Sequence, residues 1–435
     1  MKITAVISEY NPLHNGHVHH FDKIRKETGA DYLITVMSGD YVQRGAPAVI
    51  PKHERAKAAL LSGADLVLEL PLYYSTGSIE YFSRGAVSLI AKTGLCDCIS
   101  FGSECGDINL LCDAAAMLNE SENHDNNEIL SALSSGQSYA SVVNRIGLSG
   151  DNTSILLKEP NNLLAVYYIR AASHLGLDIS FHTVKRSGAG YHDSSAGALS
   201  STSIREELKA IYPSPGFNND GQKTPDKLTR IKDRMPDSVY ASLCEYLKSY
   251  PPMFEDDFSM LLYYKLHECF GTLNENLTKY LDVSDNIAGR IESTYRHANS
   301  FSGLINNIKS KDLAYTRISR ALLHILLGIT RDNMNEYIAG GYNYYLRILG
   351  FRKSASDLLH ALKQSSSVPL ITKCADHESI LRDHYLSDNW DTYGHGLALR
   401  MFKEGINASE LYNKAVCEKG RQPFISEYEH QVVII

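Results

Sequence analysis

Two histidines, His14 and His17, bracket Asn15 and Gly16 just after the apolar run Ile3 to Ser8. Lys2 to Ser8 has the composition of a strand and His17 to Lys26 that of a helix, so both imidazoles fall where a strand hands over to a helix. Unpaired backbone N–H groups and the positive end of the helix dipole favour phosphate at such a place. Gly16 has no side chain and lets phosphate and base approach the backbone. The imidazoles can donate hydrogen bonds to oxygens that gain charge when an α-phosphate is attacked, with no covalent enzyme intermediate. The segment therefore predicts a nucleoside triphosphate site with His14 and His17 as its catalytic residues.

A second group of residues extends the same chemistry. Leu199-Ser200-Ser201-Thr202-Ser203-Ile204-Arg205 offers hydroxyls that can cap a helix start and meet phosphate oxygens, followed by a planar cationic fork at Arg205. The His-x-Gly-His element resembles the signature of the nucleotidyltransferase superfamily. The Ser/Thr-Arg element is similar to the Ile-Ser-Ser-Thr-x-Ile-Arg motif with which adenylyltransferases close over the β- and γ-phosphates. Leu199 in place of the usual Ile changes little.

Further candidates sit at predicted strand and helix ends. Ser38-Gly39-Asp40-Tyr41-Val42-Gln43-Arg44-Gly45 gives a turn followed by donors and a cation, and Ser38, Asp40, Gln43 and Arg44 are read as substrate residues. Of Lys52, Arg55 and Lys57, one is expected to reach the cleft and the others to be solvated. Asn161 and Asn162 follow Pro160 at a helix start, where an amide reads adenine or ribose edges or simply caps the helix. Lys185 and Arg186 end a strand and precede the glycine-containing stretch Ser187 to Asp193, which suits phosphate.

These residues need elements to carry them. Strand-like runs over Ile3 to Ser8, Asp31 to Ser38, Asp65 to Leu70, Cys98 to Phe101 and Ile179 to Val184 alternate with helix-like runs over Lys52 to Ser62, Ser78 to Lys92 and Ile108 to Leu118. Alternation of this kind predicts an α/β fold with a Rossmann-like parallel sheet, whose ligands bind beyond the C-terminal strand ends where strand order reverses. Residues 119 to 150 are polar and read as helices and a connection outside the sheet. The expected division is a nucleotide domain over 1–212, a linker over 213–228 built on the Pro213 to Gln222 loop, and a mainly helical domain over 229–435. Leu261 to Phe270, Leu313 to Leu327 and Tyr344 to Leu349 are its predicted helices.

A length of 435 residues, 43% hydrophobic and 21% charged, suits two or three globular domains. No apolar run approaches the roughly 20 residues that span a bilayer, and the N-terminus lacks a signal-peptide layout, which together predict a cytoplasmic protein without a membrane partner. A net charge of −7 argues against a basic nucleic-acid coat and against DNA. Cys96, Cys98, Cys105 and Cys112 fit no zinc-ribbon spacing and read as buried free thiols.

Taken in order, Ser8 to His17, Ser38 to Gly45, Gly63 to Pro71, Phe101 to Glu104 and Pro160 to Asn162 resemble the bacterial tRNA(Met) cytidine acetate ligase family. The likeness spans residues 1 to about 210 and continues more weakly through Thr316 to Arg320 and Arg347 to Phe351. It implies adenylation of acetate by ATP with Mg2+, then acetyl transfer to the wobble cytidine of elongator tRNA(Met), giving N(4)-acetylcytidine. Carried onto this chain, the ATP contacts are the loop Ile7, Ser8, Glu9, Tyr10, Asn11, Pro12, Leu13, His14, Asn15, Gly16, His17, Val18, His19 and His20, together with Gly102, Asn161 and Arg186. The residue reading adds Asn162, Lys185, Ser201, Thr202 and Arg205.

RNA needs a cationic surface, and residues 301–365 carry nine Lys or Arg against four acids. Arg317, Arg320 and His324 at helical spacing, Tyr342, Tyr344 and Tyr345 beside Arg347, and Arg352 with Lys353 predict phosphate contact plus base stacking. The two phosphate motifs by themselves equally permit an adenylyltransferase acting on a phosphorylated small metabolite; a third reading, from another class, is an RNA-binding protein with a structural nucleotide site.

Overall fold

Each of the first strands is apolar on both faces, and such strands need cover on both sides. The computed structural model describes residues 1–124, 156–186, 200–213, 227–387 and 390–435. Strand β1 (Ile3–Ser8) leads into helix α1 (Asn15–Thr28), then β2 (Tyr32–Ser38), the two-residue strands β3 (Tyr41–Val42) and β4 (Ala46–Pro47), α2 (Lys52–Ser62) and β5 (Leu66–Leu70). Next come α3 (Leu72–Ser75), α4 (Ile79–Thr93), β6 (Cys98–Ser103), α5 (Ile108–His124), α6 (Pro160–His174), β7 (Ser180–Lys185) and α7 (Ser201–Ile211). The remainder comprises α8 (Asp237–Leu247), α9 (Ser259–His267), α10 (Asp285–Thr294), α11 (Phe301–Ile308), α12 (Tyr315–Leu327), α13 (Arg331–Ala339), β8 (Leu346–Phe351), α14 (Ser356–Ser365), β9 (Leu370–Ile371), α15 (His377–Leu386), α16 (Thr392–Gly420) and β10 (Val433–Ile434).

The main sheet runs β10-β8-β5-β2-β1-β6-β7, with β9 on β8, and every pair is parallel except β5 with β8. From β1 the chain winds first through β2 to β5 and then returns to the other side of β1 with β6 and β7. The reversal lies between β1 and β6, which opens a crevice beyond their C-terminal ends. Aspartates fix the strand starts: Asp97 accepts from the Ile3 N–H at 2.7 Å and Asp65 from the Leu33 N–H at 2.8 Å, while Arg25 of α1 closes on Asp65 at 2.6 Å.

Alternate residues of each strand supply two cores. Ile3, Ala5, Ile34, Val36 and Leu68 join the helices of one face, and Val6, Leu33, Met37 and Val67 join α1, α2, α7 and α8 on the other. The predicted α/β sheet and mainly helical remainder are both present. A third core lies among α9 to α12, and α16 spans 29 residues, lending Phe402 and Ile406 to the first core and Tyr412 and Val416 to the third.

One predicted element has the wrong type. Residues expected as a helix over Tyr344 to Leu349 form β8, which pairs antiparallel with β5, so the C-terminal half completes the sheet. A six-residue run buried on both faces carries no periodicity that separates strand from helix; its pairing with β5 decides. Residues 125–150 of the predicted polar connection, most of the Pro213 to Gln222 loop and the Ser187 to Asp193 stretch lie outside the described residues. Among the four clustered cysteines, Cys98 is buried and the other three are partly exposed, and all are free thiols. No described helix is long and apolar enough to cross a membrane.

Candidate active site

The first turn of α1 is closed by its own histidines. His14 is the N-cap, and its Nδ1 accepts from the Gly16 N–H at 3.0 Å; His17 Nδ1 accepts from the His14 N–H at 3.1 Å. A ring nitrogen that accepts from a backbone N–H carries no proton, so both neutral rings hold theirs on Nε2. The capping box thus commits both Nδ1 atoms to the backbone and leaves each ring an Nε2–H donor, with ring centroids 3.9 Å apart. Burial, then the Arg186 charge, lowers the His14 pKa to about 4; burial, then His14 and Arg186, puts His17 well below its ordinary value. Both rings are neutral donors near neutral pH. Gly16 is required here, because a Cβ would stand 2.7 Å from His14 Cε1.

The loop preceding α1 is built as a floor. Tyr10, at φ 44°, is buried and meets His17 and Phe21 edge-on, Leu13 is in the core, and the Asn11–Pro12 bond is cis. Asn11 spends its side-chain oxygen on the Val49 N–H at 2.8 Å. Asn15 donates to the Asp233 carbonyl at 2.9 Å, Val18 packs on the core, and His19 is exposed. Ile7 and Ser8, half-buried, end β1 at the crevice.

The second motif docks on that loop. Ser200 caps α7 by accepting from the Ser203 N–H at 3.2 Å. Ser201 Oγ donates to the Pro12 carbonyl at 3.0 Å, and Arg205 donates to the Asn11 carbonyl at 2.8 Å and to Thr202 Oγ1 at 2.9 Å. Two motifs almost 190 residues apart in sequence are therefore brought together. Burial, then the Arg44 charge, lowers the Arg205 pKa, which places exposed Arg44 in the same electrostatic neighbourhood. Lys185 ends β7 and Arg186 follows it, both exposed; Gly102 on β6 faces Arg186, whose Cγ would lie 3.3 Å from a Cβ there.

Other predicted residues serve the framework. Asn162 is buried, accepting from the Glu104 and Cys105 N–H groups at 2.9 and 3.1 Å and donating to the Leu156 carbonyl at 3.2 Å, so its amide is spent. Asn161 donates to Glu104 at 2.5 Å and is half-buried. Ser38 and Asp40 are buried, and Asp40 caps α2 by accepting from the Lys52 N–H at 2.8 Å. Gln43 donates its N–H to Glu9 at 2.9 Å. Neither Lys52 nor Arg55 is solvated. Arg55 donates to the carbonyls of Glu9 at 2.7 Å, Ser38 at 3.0 Å, Ile50 at 3.1 Å and Gly39. Lys52 joins Glu69 at 2.8 Å and Glu427 at 3.1 Å, while Lys57 is partly exposed.

The expected RNA stripe is largely enclosed. Arg347 on β8 is ion-paired with Glu69 at 2.8 Å and with Glu427, and is only 6% exposed. Arg320 pairs with Asp282 at 2.7 Å, and His324 bonds the Leu281 and Thr76 carbonyls through both nitrogens. Arg317 lies half-buried beside them. Arg352 donates twice to the Leu60 carbonyl, Tyr344 and Tyr345 are buried, and Lys353 is exposed. A count of charges along the chain is blind to the carboxylates that fold against them.

Glu104 carries site architecture that sequence reasoning gave no role. Glu104 accepts from the Asn161 and Asn162 N–H groups at 3.2 and 2.8 Å and so caps α6. An acid at a strand end together with a Pro-Asn-Asn helix start was the available signal.

The HIGH Nucleotidyl Transferase family model matches residues 1–423. The tRNA(Met) cytidine acetate ligase of Clostridium novyi is 34% identical, covering 95% of this chain and 100% of the relative. That of Clostridium kluyveri is 38% identical, covering 86% and 90%. Among solved structures, Thermotoga maritima TmcAL bound with alpha-thio ATP has a TM-score of 0.84 at 26% identity, covering 100% of this chain and 99% of that one. A cleft of neutral imidazoles, a helix N-terminus and arginines, set in a fold with these relatives, makes the chain a member of the HIGH nucleotidyl transferases and, within them, of the tRNA(Met) cytidine acetate ligase family.

Proposed function

We propose that this chain is an ATP-dependent ligase that activates acetate as acetyl-adenylate and transfers the acetyl group to the wobble cytidine of elongator tRNA(Met). In the first step an acetate oxygen attacks the α-phosphorus of ATP and pyrophosphate leaves. In the second the exocyclic amine of cytidine attacks the acetyl carbon, AMP departs with the mixed-anhydride oxygen, and the amine gives up a proton. A carboxylate is a poor acyl donor until one oxygen becomes a good leaving group, which AMP provides. The amine is weakly nucleophilic, so holding it beside the anhydride contributes more than acid–base assistance.

The observation that carries this reading is the helix cap that commits Nδ1 of both His14 and His17 to backbone N–H groups and leaves each an Nε2–H donor, with the Arg186 charge acting on both rings. Neutral donors preorganised at a helix N-terminus stabilise charge that develops on the α-phosphate oxygens. Arg205, Ser201 and Thr202 are the candidate partners of the β- and γ-phosphates, as the docking of α7 on the Asn11–Pro12 turn suggests. The alpha-thio ATP bound to the Thermotoga maritima relative and the names of the Clostridium ligases support the same assignment.

Among the described residues no group of three or more His, Cys, Asp or Glu side chains is placed to hold a metal ion. Magnesium therefore fits as an ion carried by the triphosphate and its waters rather than by a protein cage, and no step above is routed through it. The test is incubation of the protein with ATP, labelled acetate and bulk tRNA, followed by nucleoside digestion. Label is expected in N(4)-acetylcytidine; label confined to free acetate would reject the assignment. Pyrophosphate exchange that requires acetate is expected as well, and exchange driven instead by a phosphate ester would favour a metabolite adenylyltransferase.

A further inference from the structure

One carboxylate at the crevice has no cation of its own. Glu9 follows β1 by one residue, beyond the strand end where the crevice opens, and is half-buried. Its carbonyl accepts from Arg55 at 2.7 Å and its Oε1 from the Gln43 N–H at 2.9 Å, so backbone and side chain are both held in place. Among the described residues Oε2 has no hydrogen-bond partner and neither oxygen belongs to an ion pair. Glu104 spends its oxygens capping α6, but Glu9 caps no helix, since α1 is capped by His14.

The surroundings of Glu9 give its side of the crevice. Ile3, Ala5 and Ile7 turn toward the first core, whereas α1, which carries the histidines, packs on the second. Glu9 continues the first side. Tyr168 of α6, in that first core, sets its ring 6.0 Å from Phe101 of β6, and burial, then the Glu9 charge, raises its pKa. The same charge opposes burial and Arg44 at Arg205, which docks on the Asn11 carbonyl two residues along the loop from Glu9. Gln43, which holds Oε1, lies on the β3–β4 hairpin, and the helical half grips that hairpin. Ser319 Oγ of α12 donates to the Gly45 carbonyl at 2.8 Å, and Gly45 lies too close to the Arg320 backbone for any Cβ to fit. Glu9 thus meets the reacting phosphate from the side that the helical half closes, opposite the first turn of α1.

An unpaired acid beside a triphosphate opposes its binding, so its use lies with another substrate. At the reacting atoms ATP and acetate present only acceptors; the exocyclic amine of cytidine alone presents N–H donors. We propose that Glu9 is a catalytic residue of the second step, whose Oε2 accepts a hydrogen bond from that amine, aims its nitrogen at the acetyl carbon and receives the proton it sheds. The proposal rests on the ligase reading above. As the bond from nitrogen to the acetyl carbon forms and the bond from that carbon to the AMP oxygen breaks, the nitrogen becomes cationic and acidic. One N–H proton passes to Oε2, and water removes it after AMP leaves.

Two rates measured on the full chain separate the steps: acetate-dependent pyrophosphate exchange without tRNA, and single-turnover transfer from preformed labelled acetyl-adenylate to elongator tRNA(Met). In Glu9→Gln the amide oxygen keeps the Gln43 bond, while an NH2 donor replaces Oε2 and confronts the amine. Transfer is expected to fall about 100-fold and exchange by less than about fivefold. Glu9→Asp, which keeps an acceptor on a shorter stem, should retain more transfer than Glu9→Gln. Losses of the same size in both steps would assign Glu9 to the triphosphate or its magnesium and overturn the proposal, as would undiminished transfer in Glu9→Gln. Wild type that makes no acetyl-adenylate, or passes none of its acetyl group to tRNA, would instead defeat the ligase reading itself.

Discussion

At His14 one ring holds two tasks apart: Nδ1 caps α1, and on the proposed reading Nε2–H serves the α-phosphate. The two roles are separable. Asn is as good an N-cap as any residue but lacks the second nitrogen, so His14→Asn should leave the melting temperature within a few degrees of wild type. Loss of one preorganised donor should lower acetate-dependent pyrophosphate exchange about 100-fold. A fall in melting temperature that accounts for the lost turnover would argue that the ring is merely a cap. The depressed pKa values have a second outcome. The folded His14 titrates near about 4 against 6.5 for an unperturbed His, so below 6.5 the unfolded chain binds a proton that the folded chain refuses. Stability is then unaffected above pH 6.5 and falls between 6.5 and 4, by roughly 2 to 3 kcal/mol from this residue. His17 and His20 act with the same sign. Urea midpoints measured across that window should drop with acid, and less steeply in His14→Asn.

Among elements, α1 and its preceding loop owe their shape to groups outside them. Arg55 on α2 gathers four carbonyls from the loops after β1 and β2 and before α2 itself, so the crevice floor is tied from below. Arg55→Lys keeps the charge but cannot span them, and stranded buried carbonyls should cost about 2 to 4 kcal/mol. Chemical denaturation checks this, and a change below about 0.5 kcal/mol would contradict it. What the sequence made legible was local. His14, Gly16 and His17 carry their reading in spacing alone, because a cap, a close approach and a first-turn donor are set within four residues. The Ser201 to Arg205 helix start was legible for the same reason. Asn162, Arg347 and Arg55 were misread because an amide or a cation has the same letter whether it faces water or a buried carbonyl. The strand β8 escaped because its partner lies some 280 residues earlier in the chain.

Across the whole molecule, the two halves predicted as separate share a sheet, a core and an ion cluster. Lys52, Arg347 and His53 meet Glu427 in the C-terminal tail, whose carboxyl is driven far below the usual range by Lys52 and Arg347 despite its burial. Glu427→Gln leaves two buried cations with one partner fewer and should destabilise the nucleotide half by about 3 to 5 kcal/mol, although it lies far along the chain from His14. Thermal unfolding followed at the lone Trp390 in the helical half, and by far-ultraviolet dichroism, should give one coincident transition. Two resolved transitions, the nucleotide half unmoved by the mutation, would show that the halves are independent. Residues 1–212 expressed alone are expected to be insoluble.

The antiparallel seam between β5 and β8 sets an order of events during synthesis. A ribosome delivers β1 to β7 long before Leu346, and β5 waits through that interval with a bare row of backbone donors and acceptors. Such a row is a template for pairing with another polypeptide. Until translation reaches Leu346, the nascent nucleotide half depends on shielding from outside, and slow elongation before that point should raise the share of product lost to inclusion bodies.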